Sequence, residues 1–308
     1  MTVRFLVNFG LIALPIAITL GILLGLESGR QAAGKPPLFA PDKNNKVKIQ
    51  QYCQKSFGIH PESKGQEYTL NPNQWGWDEG DDGSLCLNTY ATNTTAPRWS
   101  VTWEYPQGPE TAPVHAFPNI KVDGDVFPAQ LKSIQKIEID FEWTYGLGEK
   151  AANKTDLTEL KDNLLNANVA MDMFLDKDKD KAKGSEEASH EIMVWFAAIG
   201  PATQPIGFGD GGSDPIAKKT LHGTEFKLYV GQNQAKQNVL TWYVEKPTQK
   251  FSGDLYPLID EILSMEDKDY PSASDYMGYM SWGTEAYSVN KTVTFDVPSL
   301  SIDVIKSD

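Results

Sequence analysis

Two glutamates lie in aromatic-rich segments that alternate like strands: Glu191 in HEIMVWFAAIG and Glu285 in YMSWGTEAYS. Burial of an unpaired carboxylate in such surroundings is costly or shifts its pKa. A carboxylate found there is therefore either paired for structure or adapted to acid–base chemistry. Two of them on an all-β background indicate glycoside hydrolysis, in which paired carboxylates flank the bond between two sugars.

Purely structural roles are the alternative for both residues. Glu191 would then pair with an arginine or a lysine, and Glu285 would lie at the surface in a Gly-Thr-Glu turn. Other hydrolase patterns are missing from the sequence, because the four histidines are scattered and neither His-Glu-x-x-His nor Gly-x-Ser-x-Gly occurs. His190 is predicted to point away from Glu191 and to be structural. We expect neither a metal nor an organic cofactor.

The acidic segment DKDKDKAKGSEE, from Asp176 to Glu187, places carboxylates at four of the ligand positions of a calcium-binding EF-hand loop. Lys181 stands where that loop needs a glycine, and the alternating lysines would repel a cation. We interpret the segment as a solvated hairpin loop.

Short alternating segments recur between clusters of Gly, Pro and Asp, and they predict an all-β sandwich or jelly roll to position these residues. In HEIMVWFAAIG, alternation predicts two faces. The mixed aromatic and acidic face carries Glu191, Met193, Trp195 and Ala197, and the apolar face carries Ile192, Val194 and Phe196. Such a strand separates a core from a cleft. The aromatic face of RWSVTWEY, with Trp103, is predicted to contribute to sugar binding in the same cleft.

One α-helix is predicted to pack on the outside of the sandwich. Its apolar stripe has the spacing of a helix, Ser252 is the predicted cap, and Pro257 falls in the first turn, where a missing N–H is tolerated. The stripe consists of Leu255, Leu258, Ile259, Ile262 and Leu263. A second, weaker helix is predicted from Asp156 to Leu165, with Thr155 as its cap.

The N-terminal residues predict that the protein is exported from the cytosol. Residues 5–26 are free of charge and mostly apolar, so residues 1–26 are interpreted as a signal-anchor, with a cleaved signal peptide as the alternative. Residues 27–48 are interpreted as a linker and residues 49–308 as the catalytic domain. Glycosylation sequons begin at Asn93, Asn153 and Asn290. We therefore expect an extracellular or cell-surface protein, with possible membrane anchoring through residues 5–26.

Net charge limits the classes of binding partner, and cysteine content indicates the redox compartment. The net charge of −13 argues against binding to nucleic acid or anionic lipid, whereas a neutral polysaccharide is unaffected. Cys53 and Cys86 are the only cysteines. In an exported protein they suggest one disulfide, which contributes about 3–4 kcal/mol in the chain-entropy model, with two free thiols as the alternative. We expect a monomer.

Six motifs follow one another within residues 50–305: YTLNPNQWG from Tyr68, AMDMFLD from Ala170, HEIMVWFAAIG from His190, FKLYVGQN from Phe226, FSGDL from Phe251 and GTEAYS from Gly283. In this order and spacing the sequence resembles glycoside hydrolase family 12, which comprises endo-β-1,4-glucanases and xyloglucan-specific endoglucanases. The resemblance implies a two-sheet β-jelly roll with a concave substrate cleft and retaining, endo-acting hydrolysis of β-1,4-glucan.

The resemblance also implies roles for individual residues. Glu191 corresponds to the nucleophile, Glu285 to the general acid/base, and Asp172 to the carboxylic partner that hydrogen-bonds the nucleophile. Trp75 corresponds to a sugar-stacking platform, with Asn73 as a nearby contact to sugar hydroxyls.

Further positions follow the same family pattern. Met193 is expected on the cleft face beside the nucleophile, and Cys53 and Cys86 match the N-terminal disulfide of the family. The sequence departs from the family at Gln74 and Trp282, which leaves the preference between xyloglucan and unbranched glucan open. A non-catalytic carbohydrate-binding jelly roll and a cell-surface or wall-structural protein are the competing interpretations.

Overall fold

The computed structural model describes residues 49–61, 66–90, 98–209 and 212–307. The predicted signal segment, the linker and the Asn93 sequon lie outside the described residues. Among the helices of the described ranges, none combines the length and the apolar composition that a membrane span requires.

One sheet has six antiparallel strands that alternate buried and exposed side chains. Its order is β1 (Gln51–Tyr52), β3 (Ser84–Thr89), β4 (Trp99–Glu104), β16 (Val293–Lys306), β7 (Ile134–Leu147) and β13 (Lys250–Asp254). The alternation fits a sheet with one face on the core and one in solvent.

The second sheet has ten strands and carries most of the predicted site residues. Its main path runs β10 (Ala217–Leu221), β11 (Thr224–Gln232), β12 (Asn238–Tyr243), β9 (His190–Ile199), β8 (Asn166–Asp176), β14 (Tyr276–Gly283), β5 (Asn119–Asp123) and β2 (Glu67–Asn71). Two short strands lie off this path: β15 (Ala286–Ser288) pairs with β8, and β6 (Ala129–Gln130) pairs with β14. Among the strands of the described ranges, only β12 and β9 pair in parallel.

The two sheets share one apolar core, so the predicted all-β jelly-roll sandwich is confirmed. Ile192, Val194 and Phe196 of β9 are all buried in it, as the alternation predicts. Glu191, Met193 and Trp195 point to the other face of the sheet. The acidic segment after Asp176 forms the connection between the antiparallel strands β8 and β9, which matches the predicted hairpin loop.

The predicted outer helix is present as α2 (Tyr256–Ser264), and the second, weaker helix is present as α1 (Leu157–Asp162), which has six residues and is shorter than predicted. Leu258, Ile259 and Ile262 of α2 are buried against the sheets. Both predicted caps are wrong. Ser252 belongs to β13, and Asp254 accepts from the amide of Tyr256 instead.

At α1 the cap is Asp156, whose carboxylate accepts from the amides of Thr158 and Glu159. The predicted cap, Thr155, instead accepts from the amide of Tyr145 and is buried.

A β-bulge divides β9 where it pairs with β8. Ala170 lies opposite Trp195, but Val169 lies opposite Ala197, so Phe196 has no partner. The extra residue shifts the alternation by one. As a result Ala197 joins the core and Ala198 joins the cleft face, which corrects the predicted position of Ala197.

The predicted disulfide between Cys53 and Cys86 is present and ties the segment at residues 49–57 to β3. Next to it, the side chain of Gln74 donates to the carbonyls of Cys53 and Gln54 at 3.2 and 3.0 Å. Its amide oxygen accepts from Tyr105 Oη at 2.6 Å. The buried Gln74 thus joins the disulfide segment to the loop at residues 72–77.

Candidate active site

The face of the ten-stranded sheet that points away from the core carries two adjoining cavities of about 590 and 670 Å³. Five residues line both cavities: Trp75, Glu191, Met193, Asn233 and Glu285. The two glutamates, which are 94 positions apart in the sequence, therefore lie where the cavities meet. We call the continuous groove formed by the two cavities the cleft.

Strand register brings Asp172 beside Glu191. Phe174 of β8 lies opposite Glu191 of β9, and Asp172 lies opposite Met193, so the two carboxyl groups are diagonal neighbours on one face. The side chains of Asp172 and Glu191 hydrogen-bond to each other. The predicted contact between these two carboxyl groups is therefore present in the structure.

The surroundings of this pair favour the proton on Asp172. Burial, followed by the charges of Glu191 and Glu285, holds the pKa of Asp172 well above its usual range. Burial also raises the pKa of Glu191 to about 7, but the hydrogen bond from Asp172 acts in the opposite direction. A protonated Asp172 that donates to an ionised Glu191 accounts for both effects.

Glu285 follows β14 and is held by Asn168 of β8. The backbone N–H of Glu285 donates to Asn168 Oδ1 at 2.9 Å, and Asn168 Nδ2 donates to Glu285 Oε2. Tyr287, two residues later, donates its hydroxyl to the same oxygen at 3.3 Å. The carboxyl group is thereby fixed in one orientation towards the cleft.

The surroundings of Glu285 favour its protonated form. Burial and then the charge of Glu191 raise the pKa of Glu285 to about 7, and the hydrogen bonds from Asn168 and Tyr287 oppose this rise. The site thus contains one carboxyl group, Glu191, that is hydrogen-bonded to Asp172, and a second, Glu285, whose pKa is raised towards neutral pH.

Trp103 is not a cleft residue, which corrects its predicted role in sugar binding. Its side chain is 0% exposed in the core, and its Nε1 donates to Tyr145 Oη at 2.9 Å. That hydroxyl is 3.0 Å from Thr284 Oγ1, which donates to the carbonyl of Asn168. Trp103 therefore lies at the far end of a buried hydrogen-bonded chain that supports the residue holding Glu285.

Trp282, at which the sequence departs from the family pattern, is also fully buried. It packs against Phe141 and Phe295 in the core, with ring centroids 5.0 and 5.9 Å apart. It therefore does not reshape the cleft.

Trp75 projects into the cleft from a loop that packs closely on its neighbour. The side chain is 54% exposed, as expected for a stacking surface. The amide of Gly76 donates to the carbonyl of His115 at 2.9 Å, and a Cβ atom on Gly76 would lie 2.3 Å from the carbonyl oxygen of Val114. Asn73, which also lines the cleft, has a φ of 44°, a conformation that asparagine tolerates.

Several cleft residues were missed by the sequence analysis. Asn168 and Tyr287 contact Glu285, and the amides Asn71 and Asn119 line the smaller cavity. Alternation offered a signal for two of them, because Tyr287 is two residues after Glu285 and Asn168 is four before Asp172. The bulge lies in β9 and leaves the alternation of Asn168 and Asp172 on β8 intact.

Comparisons with known proteins agree with this geometry. The family model described as glycosyl hydrolase family 12 matches residues 66–305. Xyloglucan-specific endo-beta-1,4-glucanase A of Emericella nidulans is 31% identical over 233 residues, which cover 75% of this chain and 83% of that protein. A probable xyloglucan-specific endo-beta-1,4-glucanase A of Aspergillus clavatus is 31% identical over 222 residues, which cover 72% of this chain and 80% of that protein.

Solved structures show the same fold. Endoglucanase 3 of Trichoderma harzianum superposes with a TM-score of 0.65 at 22% identity, covering 84% of this chain and 98% of that chain. A family 12 xyloglucanase of Bacillus licheniformis gives a TM-score of 0.58 at 17% identity, covering 84% and 100%. Because the family model matches residues 66–305 and the relative from Emericella nidulans covers 75% of the chain at 31% identity, the chain belongs to glycosyl hydrolase family 12 and is a glycoside hydrolase.

Proposed function

We propose that the protein is an endo-acting β-1,4-glucanase that hydrolyses its substrate with retention of anomeric configuration. The observation that carries this proposal is the position of Glu191 and Glu285 in a cleft that continues on both sides of them. A cleft that extends in both directions accommodates an internal segment of a chain. Retention requires the two carboxyl groups to be about 5–5.5 Å apart, close enough for one to influence the other's proton affinity. The charge of Glu191 does act on the pKa of Glu285, which supports that arrangement.

In the proposed mechanism Glu191 is the nucleophile and Glu285 is the general acid/base. The Glu191 carboxylate attacks the anomeric carbon while Glu285 gives its proton to the departing glycosidic oxygen. Glu285 then removes a proton from water, which displaces Glu191 from the glycosyl–enzyme ester. Asp172 hydrogen-bonds Glu191 and keeps it ionised before the attack.

Substrate contacts are proposed for the residues around these acids. Trp75 stacks on the apolar C–H face of a glucose ring, Asn73 contacts its hydroxyls, and Met193 lines the cleft beside the nucleophile. The named activity of the relatives supports a β-1,4-glucan backbone as substrate. We favour β-1,4-glucan in general and hold xyloglucan as the second candidate.

Two substitutions test the catalytic roles. Glu191→Gln and Glu285→Gln are each expected to lower the rate of glucan hydrolysis by at least about 100-fold, since each removes a group that acts in the transition state. Reducing-sugar release measures the rate, and circular dichroism confirms the fold. Near-normal activity of Glu191→Gln would show that another group is the nucleophile. The first product seen by NMR should be the β-anomer, and an α-anomer would exclude double displacement.

We further propose that residues 49–308 form the catalytic domain and that it works outside the cytosol as a monomer. The Cys53–Cys86 disulfide supports an oxidising compartment. The exposed side chains of Asn153 and Asn290 support glycosylation at those sequons. Mass before and after enzymatic removal of N-glycans tests the compartment, and size-exclusion chromatography tests the monomer.

A further inference from the structure

The two walls of the cleft are formed by different connections. The wall beside Glu285 includes the loop at residues 105–118, because the amide of His115 donates to the carbonyl of Ala286 at 2.9 Å and Ala116 bridges to Ala286. The wall beside Glu191 includes the turn between β11 and β12, because Asn238 lies opposite His190 and its amide donates to the carbonyl of Ser189 at 3.1 Å.

The turn on the Glu191 wall is held rigidly. The side chain of Asn233 donates to Gln237 Oε1 at 2.9 Å and accepts from the amide of Gln237 at 3.0 Å. Gln237 is buried, and its Nε2 donates to the carbonyl of Ala188 at 2.9 Å. Residues Gln234 to Lys236 therefore lie in a turn whose two ends, Asn233 and Gln237, are held by hydrogen bonds.

One hydrogen bond joins the two walls. Gln234 Nε2 donates to the carbonyl oxygen of Thr111 at 2.5 Å. Thr111 and Gln234 both line the larger cavity, next to Asn233, which lines both cavities. This contact between residues 109–114 and residues 233–236, which we call the strap, joins two segments that line the same cavity as Glu191 and Glu285.

We propose that Gln234 determines substrate specificity by closing the strap over the bound chain, so that the enzyme favours unbranched β-1,4-glucan over a branched backbone. The proposal rests on the proposed function. A linear chain lies flat on the sheet and passes beneath the strap. A xyloglucan backbone carries bulky substituents on O6 of many glucose units, and these require the strap to open. One exposed hydrogen bond contributes a modest net free energy, so opening is easy and the preference is moderate.

The test compares kcat/KM on tamarind xyloglucan with kcat/KM on cellohexaose. Gln234→Ala and Gln234→Glu both remove the donor, and each is expected to raise the xyloglucan-to-cellohexaose ratio by about two- to tenfold. Thr111→Ala is the matched control, because it keeps the carbonyl that accepts the bond. It is expected to retain the wild-type ratio.

Hydrogen–deuterium exchange supplies a readout independent of catalysis. The amides of residues 109–114 should exchange faster in Gln234→Ala than in the wild type or in Thr111→Ala. If the ratio and the exchange are both unchanged in Gln234→Ala, the strap has no role and the proposal is wrong. Faster exchange with an unchanged ratio would mean that the strap closes without selecting the substrate, which also overturns it. A wild type inactive on every β-glucan would instead overturn the proposed function.

Discussion

Glu285 is held by contacts that act on its charge as well as its position. Asn168 and Tyr287 both donate to Oε2, and a donated hydrogen bond stabilises the ionised form. Burial and the charge of Glu191 raise the pKa of Glu285, and these two hydrogen bonds offset part of that rise. The pKa of Glu285 is therefore about 7, close to the pH at which a general acid works efficiently.

Tyr287→Phe is expected to shift the pH profile of activity. The substitution removes a donor to the carboxylate, so the pKa of Glu285 rises and the acid retains its proton at higher pH. The basic limb of kcat/KM should then move upward by up to about one pH unit. Initial rates across pH 4–10 measure this limb.

The control for this prediction is Tyr256→Phe, which also deletes a tyrosine hydroxyl, one that donates to the carbonyl of Leu131. It should leave the basic limb in place. A basic limb that moves to lower pH in Tyr287→Phe would contradict the assignment of Glu285 as the group that must be protonated.

Some site residues could be predicted from the sequence, and one aromatic residue could not. Glu191, Glu285 and Trp75 were assigned by family motifs, and all three line the cleft. Trp103 was not distinguishable from a cleft aromatic, because an alternating strand has the same pattern whether its aromatic face contacts a core or a sugar. Only the packing of β4 between β3 and β16 shows that this face is internal.

At the scale of elements, two irregularities lie near Glu285 and Asn168. The bulge in β9 shifts the face of Ala197 and Ala198, and on the paired strand Asn168 points towards Glu285. The close approach of β14 to β5 fixes the start of the segment that carries Glu285. Neither irregularity has a local sequence signal, since both depend on how distant strands pair.

Gly283 is the tightest point of the approach between β14 and β5. A Cβ atom there would lie 2.1 Å from the carbonyl oxygen of Pro118 and 2.9 Å from Asn119 Cα. Gly283→Ala is therefore expected to lower the free energy of unfolding by about 1–3 kcal/mol, because backbone atoms have to move. It should also reduce activity, since Glu285 is two residues away. Denaturant unfolding measures the loss.

Gly184→Ala is the matched control for stability. A Cβ atom at Gly184 meets nothing within 4 Å, and the residue is extended, so its effect should stay below about 1 kcal/mol. Equal stability of the two alanine variants would contradict the steric argument at Gly283.

At the scale of the whole molecule, strand alternation predicted the sandwich, the spacing of an apolar stripe predicted the helix on its outside, and family motifs identified the enzyme class. The non-catalytic alternatives fail because the chain is a glycoside hydrolase. A binding protein would have use for Trp75 but not for two glutamates that face each other. The strap was not predictable, because it depends on a contact between loops that are distant in sequence.

The disulfide connects overall stability with the cleft. The double substitution Cys53→Ser and Cys86→Ser removes the covalent link between two residues that are 33 positions apart. The free energy of unfolding is expected to fall by about 3–4 kcal/mol. Because Gln74 binds the carbonyl of Cys53, the KM for cellohexaose should rise as Trp75 loses its support. Denaturant unfolding and steady-state kinetics measure the two effects.

Wild-type protein treated with reductant should have the same free energy of unfolding and the same KM as the double variant. Reductant should change neither quantity in the double variant. An unchanged unfolding midpoint in the double variant would show that the segment at residues 49–57 is dispensable for stability.

The strand order of the larger sheet has a consequence for crowded solutions. Its path terminates at β10, a strand of five residues with adjacent lysines, of which Lys218 is exposed and Lys219 pairs with Glu261 at 2.7 Å. A second molecule that tried to extend the sheet there would have to bring its own lysines alongside these. Charge repulsion at this margin discourages two sheets from joining edge to edge, which keeps separate molecules dispersed at high protein concentration.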